Sequence, residues 1–142
     1  MNGNTELLNF VYQNAQMGTV TLNQLDDIID NDDFKRHMNA QLEGYRSMEE
    51  QAKKLLEENG CDEKGLTAFE KIRTYLMIDL QTLADKSASH VAEMMMIGSN
   101  MGVINAVKNL KKYDRAEKSI KNLMERLLKF EEDNIQQLKK FL

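Results

Sequence analysis

The sequence predicts an all-α protein: an up-down four-helix bundle with an additional shorter helix between the second and third long helices. Three observations carry that prediction. The 142 residues include no proline, the residue that removes a helix donor and clashes in helix interiors. Long stretches place apolar residues at alternating gaps of three and four, which is the seam of a helix facing other helices. No stretch shows the period of two that a half-buried strand requires. A chain of this length fits one domain, residues 1–142, and buries roughly 70% of its unfolded surface without a disulfide or metal staple.

The first helix is expected over 5–30, with Leu8, Val11, Ala15, Gly18, Leu22, Leu25 and Ile29 as its seam and Thr5 or Asn4 as its cap. Asp30-Asn31-Asp32 closes it and supplies caps for a second helix over 33–59, whose seam is Phe34, Met38, Gln41, Tyr45, Met48, Ala52 and Leu55. A connection of two to three residues makes the pair an antiparallel hairpin. Asn59-Gly60 stops the second helix, because glycine takes the left-handed conformation cheaply. A shorter helix over 63–84 carries the stripe Leu66, Phe69, Ile72, Leu76, Leu80 and Leu83. The next helix runs over 86–112, with Asp85 or Ser87 as cap. Joining these two would make a rod of ~75 Å beside neighbours of ~40 Å, so the chain is expected to break near 85–89. Asp114 is expected to cap the last helix, 115–141, whose seam is Ile120, Met124, Leu127, Glu131, Asn134, Leu138 and Phe141.

The net charge is −4 with both signs interspersed, which argues against a nucleic-acid or anionic-membrane surface. Lys108, Lys111, Lys112 and Arg115 cluster near a helix end, where they complement the dipole. Cys61 is the one cysteine, so no intrachain disulfide and no cysteine-based metal site is complete. No basic-then-apolar leader and no apolar run near ~20 residues is present, which gives a cytoplasmic protein with no membrane partner as the expectation.

The most unusual stretch is 85–107. It holds His90, Met94, Met95, Met96 and Met101, and it places Gly98, Gly102 and Ala106 at every fourth position. Methionine fills irregular core gaps. The small residues make a smooth strip that lets another helix approach, either inside the bundle or across a homodimer.

Levelling the helices as an up-down bundle brings His37, His90, Glu93, Glu131, Asn134, Gln41 and either Gln24 or Asn23 towards one layer. Such a layer is a hydrogen-bonded device that fixes register, a carboxylate–histidine site for iron or manganese with His90, Glu93, Glu131 and His37 as ligands, or a set of solvated residues. Tyr12, Tyr45, Tyr75 and Tyr113 read as ordinary amphipathic helix residues. No glycine-rich phosphate loop and no paired nucleophile and base is present, so no enzyme is expected.

The helix lengths, the tight first hairpin, the long third connection and the polar mid-seam residues resemble the ferritin-like superfamily, in particular small rubrerythrin-like and spore-coat-F-like bacterial bundles. The resemblance implies the bundle fold. The superfamily's di-iron motif is a Glu on each of two helices and Glu-x-x-His on each of the other two. Here the motif is incomplete. Glu6 is the first helix's one glutamate and lies at its end; Phe34 stands three before His37; His90-Val91-Ala92-Glu93 has the order reversed; and Glu131-Glu132-Asp133-Asn134 ends in Asn. The expected function is a non-catalytic structural or protein-interaction bundle without a cofactor. The alternative is a metal-binding redox or metal-handling protein using the layer of His90, Glu93 and Glu131.

Overall fold

The structure, a computed structural model, describes residues 2–61 and 85–142. The described residues are helical, with no strand among them: α1 (Asn4–Leu25), α2 (Asp32–Glu58), α3 (Ala88–Lys112) and α4 (Lys118–Leu138), closed by a 3₁₀ turn at Lys139–Phe141. The helix expected over 63–84 lies outside the described residues. No helix among them is long and apolar enough to cross a membrane.

Each helix end has a local cause. α1 stops at Leu25 rather than at residue 30. Its last turn has no basic residue, and Asp26 and Asp27 follow it, placing negative charge at the negative end of the helix dipole. The connection to α2 is therefore longer than the two to three residues expected. α2 begins where Asn31 accepts a hydrogen bond from the Phe34 amide at 2.9 Å, with Asp32 and Asp33 favourably placed in the first turn. It ends as the sequence predicts. Gly60 has φ +67°, Cys61 N–H donates to Leu56 and Gly60 N–H donates to Glu57, a pattern that satisfies two of the last carbonyls.

Ser87 caps α3 by accepting from the His90 amide at 3.2 Å, and Asp85 accepts from the Ser87 amide at 2.9 Å. α4 starts at Lys118, three residues later than expected, and Asp114 is not its cap. Instead Asn4 at the start of α1 reaches across and accepts from the Glu117 amide at 2.8 Å, so the turn is set by a contact 113 residues away in sequence.

α1 and α2 form one antiparallel hairpin, and α3 and α4 form the other. α1 and α4 pack on each other and on both remaining helices, which places them centrally and leaves α2 and α3 on opposite sides. Nine consecutive residues of α1, Leu7 to Ala15, are buried. Two apolar clusters result. One joins Leu7, Leu8, Val11, Leu56, Met124 and Leu127; the other joins Leu22, Leu25, Phe34, Met38, Val91 and Leu138.

The strip of small residues on α3 does not form one free face. Gly102 and Ala106 are buried within the chain's own bundle, while Gly98 has open space beside it. Helical rotation of 100° per residue carries a four-residue repeat slowly round the helix, so its two ends face different surroundings.

Candidate binding site at the buried Glu131

Between the two apolar clusters lies a polar one to which all four helices contribute. Glu131 on α4 is 2% exposed. The Tyr45 hydroxyl on α2 donates to its Oε1 in a short hydrogen bond. Ser99 on α3 and Asn134 on α4 also approach and favour the charged carboxylate. Asn14 on α1 presents Oδ1 on the same side as Glu131 Oε2: a methyl on Gly102 would lie 3.0 Å from each of these oxygens.

Close packing explains why glycine stands where it does. A methyl on Gly18 of α1 would meet the Tyr45 ring at 2.7 Å. The ring can thus lie against bare backbone on one side, with its edge-to-face partner Phe130 at 5.0 Å between centroids. Gly102 does the same for the Glu131 carboxylate and the Asn14 amide.

The electrostatics follow from burial. Burial pushes the Glu131 carboxyl up to about 7, against the opposing hydrogen bonds of Tyr45, Ser99 and Asn134. The Tyr45 phenol is driven well above its usual range, first by burial and then by the Glu131 charge. Tyr45 therefore stays a donor. Asn134 Nδ2 is buried and makes no hydrogen bond of ordinary geometry, although the amide lies near enough to act on Glu131.

A partly open cavity of about 50 Å³ adjoins this cluster. Its lining includes the polar residues Asn14, Thr21, Gln41, Tyr45, Ser99 and Glu131 and the apolar Met17, Leu22, Leu25, Met94 and Met95. Gln41 connects the cavity to His37 through a 2.8 Å contact between the two Nε2 atoms. With the amide oriented this way its nitrogen donates, so His37 Nε2 accepts and the ring is the neutral Nδ1–H tautomer. Burial and then nearby Lys140 lower the His37 pKa, in keeping with that assignment.

The four candidate ligands do not meet. His90 Nδ1 and Glu93 Oε2 are 4.0 Å apart on a largely exposed part of α3. Ser99, which does reach Glu131, is ~13 Å further along the helix from His90. His37 is ~12 Å along α2 from Tyr45. Among the described residues no three His, Cys, Asp or Glu side chains are grouped so as to hold a metal ion. The expected level was displaced because α3 and α4 run antiparallel with Gly102 opposite Glu131. Stepping back from Gly102 to Glu93 carries the facing position on α4 forward, past its end, to about Lys140.

Three members of the cluster escaped the sequence reading. Tyr45 is buried and paired rather than ordinary, and Ser99 and Asn14 were unmarked. The available signal was spacing: Tyr45 stands four residues from the polar seam residue Gln41, on the same face.

Two predictions follow from this geometry. Between its unfolded value of 4.5 and its folded value of about 7, native Glu131 holds a proton that the unfolded chain has released. Its contribution to stability is thus present at low pH and is lost as pH rises through 7. Urea unfolding of the parent and of Glu131→Gln should show the variant gaining about 2–3 kcal/mol on the parent between pH 5 and pH 8; a gap independent of pH would mean that the carboxyl keeps an ordinary pKa. The second concerns the two glycines of α3. Gly98→Ala should stabilise by about 0.5–1 kcal/mol, since it adds helix propensity in open space. Gly102→Ala should destabilise by about 1–3 kcal/mol, because two oxygens must move; thermal melts of the two variants test the contrast.

No family model matches the chain, and no curated protein or solved structure does.

Proposed function

We propose that the chain is a ferritin-like bundle with a non-catalytic, associative role in the cytoplasm, working as a homodimer through the outer face of α3. One observation carries this reading. Ile97 and Ile104 are 56% and 47% exposed, two turns apart on one helix face, and half-buried Met101 lies between them. Extended by one turn each way, that face ends in exposed Glu93 and exposed Lys108. The stripe is self-complementary. Two α3 helices paired antiparallel about Asn100 and Met101 set Ile97 against Ile104 and Glu93 against Lys108 of the second copy, as a two-fold interface requires. Apolar contact at the centre with a charged rim is the usual anatomy of such a surface. The four-helix arrangement and the polar mid-bundle cluster support the ferritin-like kinship.

Light scattering coupled to gel filtration should give twice the chain mass. Ile97→Glu with Ile104→Glu should return the mass to that of one chain with unchanged helical circular dichroism. Glu93→Lys and Lys108→Glu should each weaken the dimer, and combining them should restore it. A parent that stays monomeric at high micromolar concentration sinks the reading.

A second reading rests on the His90–Glu93 pair, whose side chains stand 4.0 Å apart and accessible. It makes the protein a metal-handling one that takes iron or manganese at this pair. Elemental analysis of protein expressed with both metals decides between them. The associative reading expects no stoichiometric metal, whereas one metal per chain that is lost in His90→Ala would establish the second.

A further inference from the structure

We propose that the cavity beside Glu131 is a binding site for a short primary alkylammonium ion, a ligand independent of the dimer described above. The argument starts from charge. Glu131 is almost fully enclosed, and the groups that approach its carboxylate, Tyr45, Ser99 and Asn134, are all neutral. A buried carboxylate is ordinarily matched by a cation, yet no described residue lining the cavity is cationic. The lining is rich in acceptors instead: Glu131 itself, Asn14 Oδ1, the Gln41 amide and the Ser99 hydroxyl. An ammonium head carries three donors and one positive charge, which is the complement of that set.

Size and walls narrow the class further. A cavity of about 50 Å³ is roughly a third of one that accepts benzene, so two or three non-hydrogen atoms fill it. Met17, Leu22, Met94 and Met95 also line the cavity and suit a short apolar tail. Methionine adapts to irregular shapes, and Tyr45 lines the cavity beside them. A hydrated divalent ion fits poorly, since it needs six or more oxygen ligands and only one carboxylate is present among the lining residues described.

Binding needs the carboxylate, so it competes with the proton on Glu131. Tyr45 is the titratable group that the hydrogen bonding sets against Glu131, and it stays neutral in this range; Asn14, Ser99 and Asn134 from the other helices do not titrate. The ligand amine stays charged, as lysine does. Affinity should therefore rise about fivefold from pH 6 to pH 7 and change less than about twofold above pH 8. Repeating the series in His37→Gln removes the one histidine that reaches the cavity through Gln41.

The experiment titrates ethylammonium chloride into the full chain, followed by amide chemical shifts and by melting temperature. Ethanol matches it in shape and lacks the charge, and sodium chloride controls for ionic strength. Saturable shifts at residues of the cavity with the amine, at least tenfold weaker with the alcohol and lost in Glu131→Gln, are the expected result. Helical circular dichroism of Glu131→Gln, recorded on the same samples, separates loss of the site from loss of the fold. No saturable response, an equal response to the alcohol, or full binding by folded Glu131→Gln each overturns the proposal and leaves the cavity to water.

Discussion

The carboxylate of Glu131, enclosed where the two apolar clusters meet, is the constraint on which the middle of this structure depends. A charge taken out of water costs several kcal/mol unless hydrogen bonds replace the lost solvation. The replacement comes from across the bundle. Tyr45 donates from α2, Ser99 approaches from α3, and Asn134 lies one turn along α4. To put the Tyr45 hydroxyl there, its ring must lie on α1, and only a residue without a side chain permits that at Gly18. To let the carboxylate reach α3, Gly102 must be equally bare. Each helix is thus held at one height relative to the others. A slip of one residue would turn a donor away by 100° and leave a buried charge unmatched. The apolar clusters supply most of the burial but specify height weakly, because leucines and methionines repack with little loss.

The same arrangement accounts for the void beside it. Apolar side chains interdigitate to crystal-like density. Polar side chains whose positions are dictated by hydrogen bonds cannot also adjust to fill space. The cavity lies on that boundary, lined by Gln41 and Glu131 and by Leu22 and Leu25 together.

The seams of α1, α2 and α4 were legible in the sequence. In α1 the residues Leu8, Val11, Ala15, Leu22 and Leu25 are all buried, as is Ile29 beyond its end, and in α4 Ile120, Met124, Leu127, Glu131, Asn134 and Leu138 are. Gln41, Glu131 and Asn134 were visible as polar residues on apolar seams. Height was not legible. Periodicity reports which way a side chain points, whereas its level depends on where each helix starts and on how long each connection is. α1 ends five residues early and α4 starts three late. The second of these rests on Asn4, a residue from the other end of the chain, and no local pattern announces such a contact. His90 and Glu93 consequently sit far from the carboxylate that the sequence placed opposite them. Tyr45 was missed because a tyrosine on a seam looks the same whether its hydroxyl meets water or a buried acid.

The enclosure of α1 bears on how the protein is made. Its segment from Leu7 to Ala15 touches neighbours on every side, and those neighbours, α2, α3 and α4, all come later in the chain. During synthesis, at roughly 5–20 residues per second, α1 leaves the ribosome well before the last helix that covers it. For that interval α2 is the one described helix present to cover its apolar and amide side chains. The Asn4 contact to Glu117 cannot form until translation has passed Glu117. α1 is therefore made well before its final surroundings exist, and it stays partly uncovered while α3 and α4 are being added.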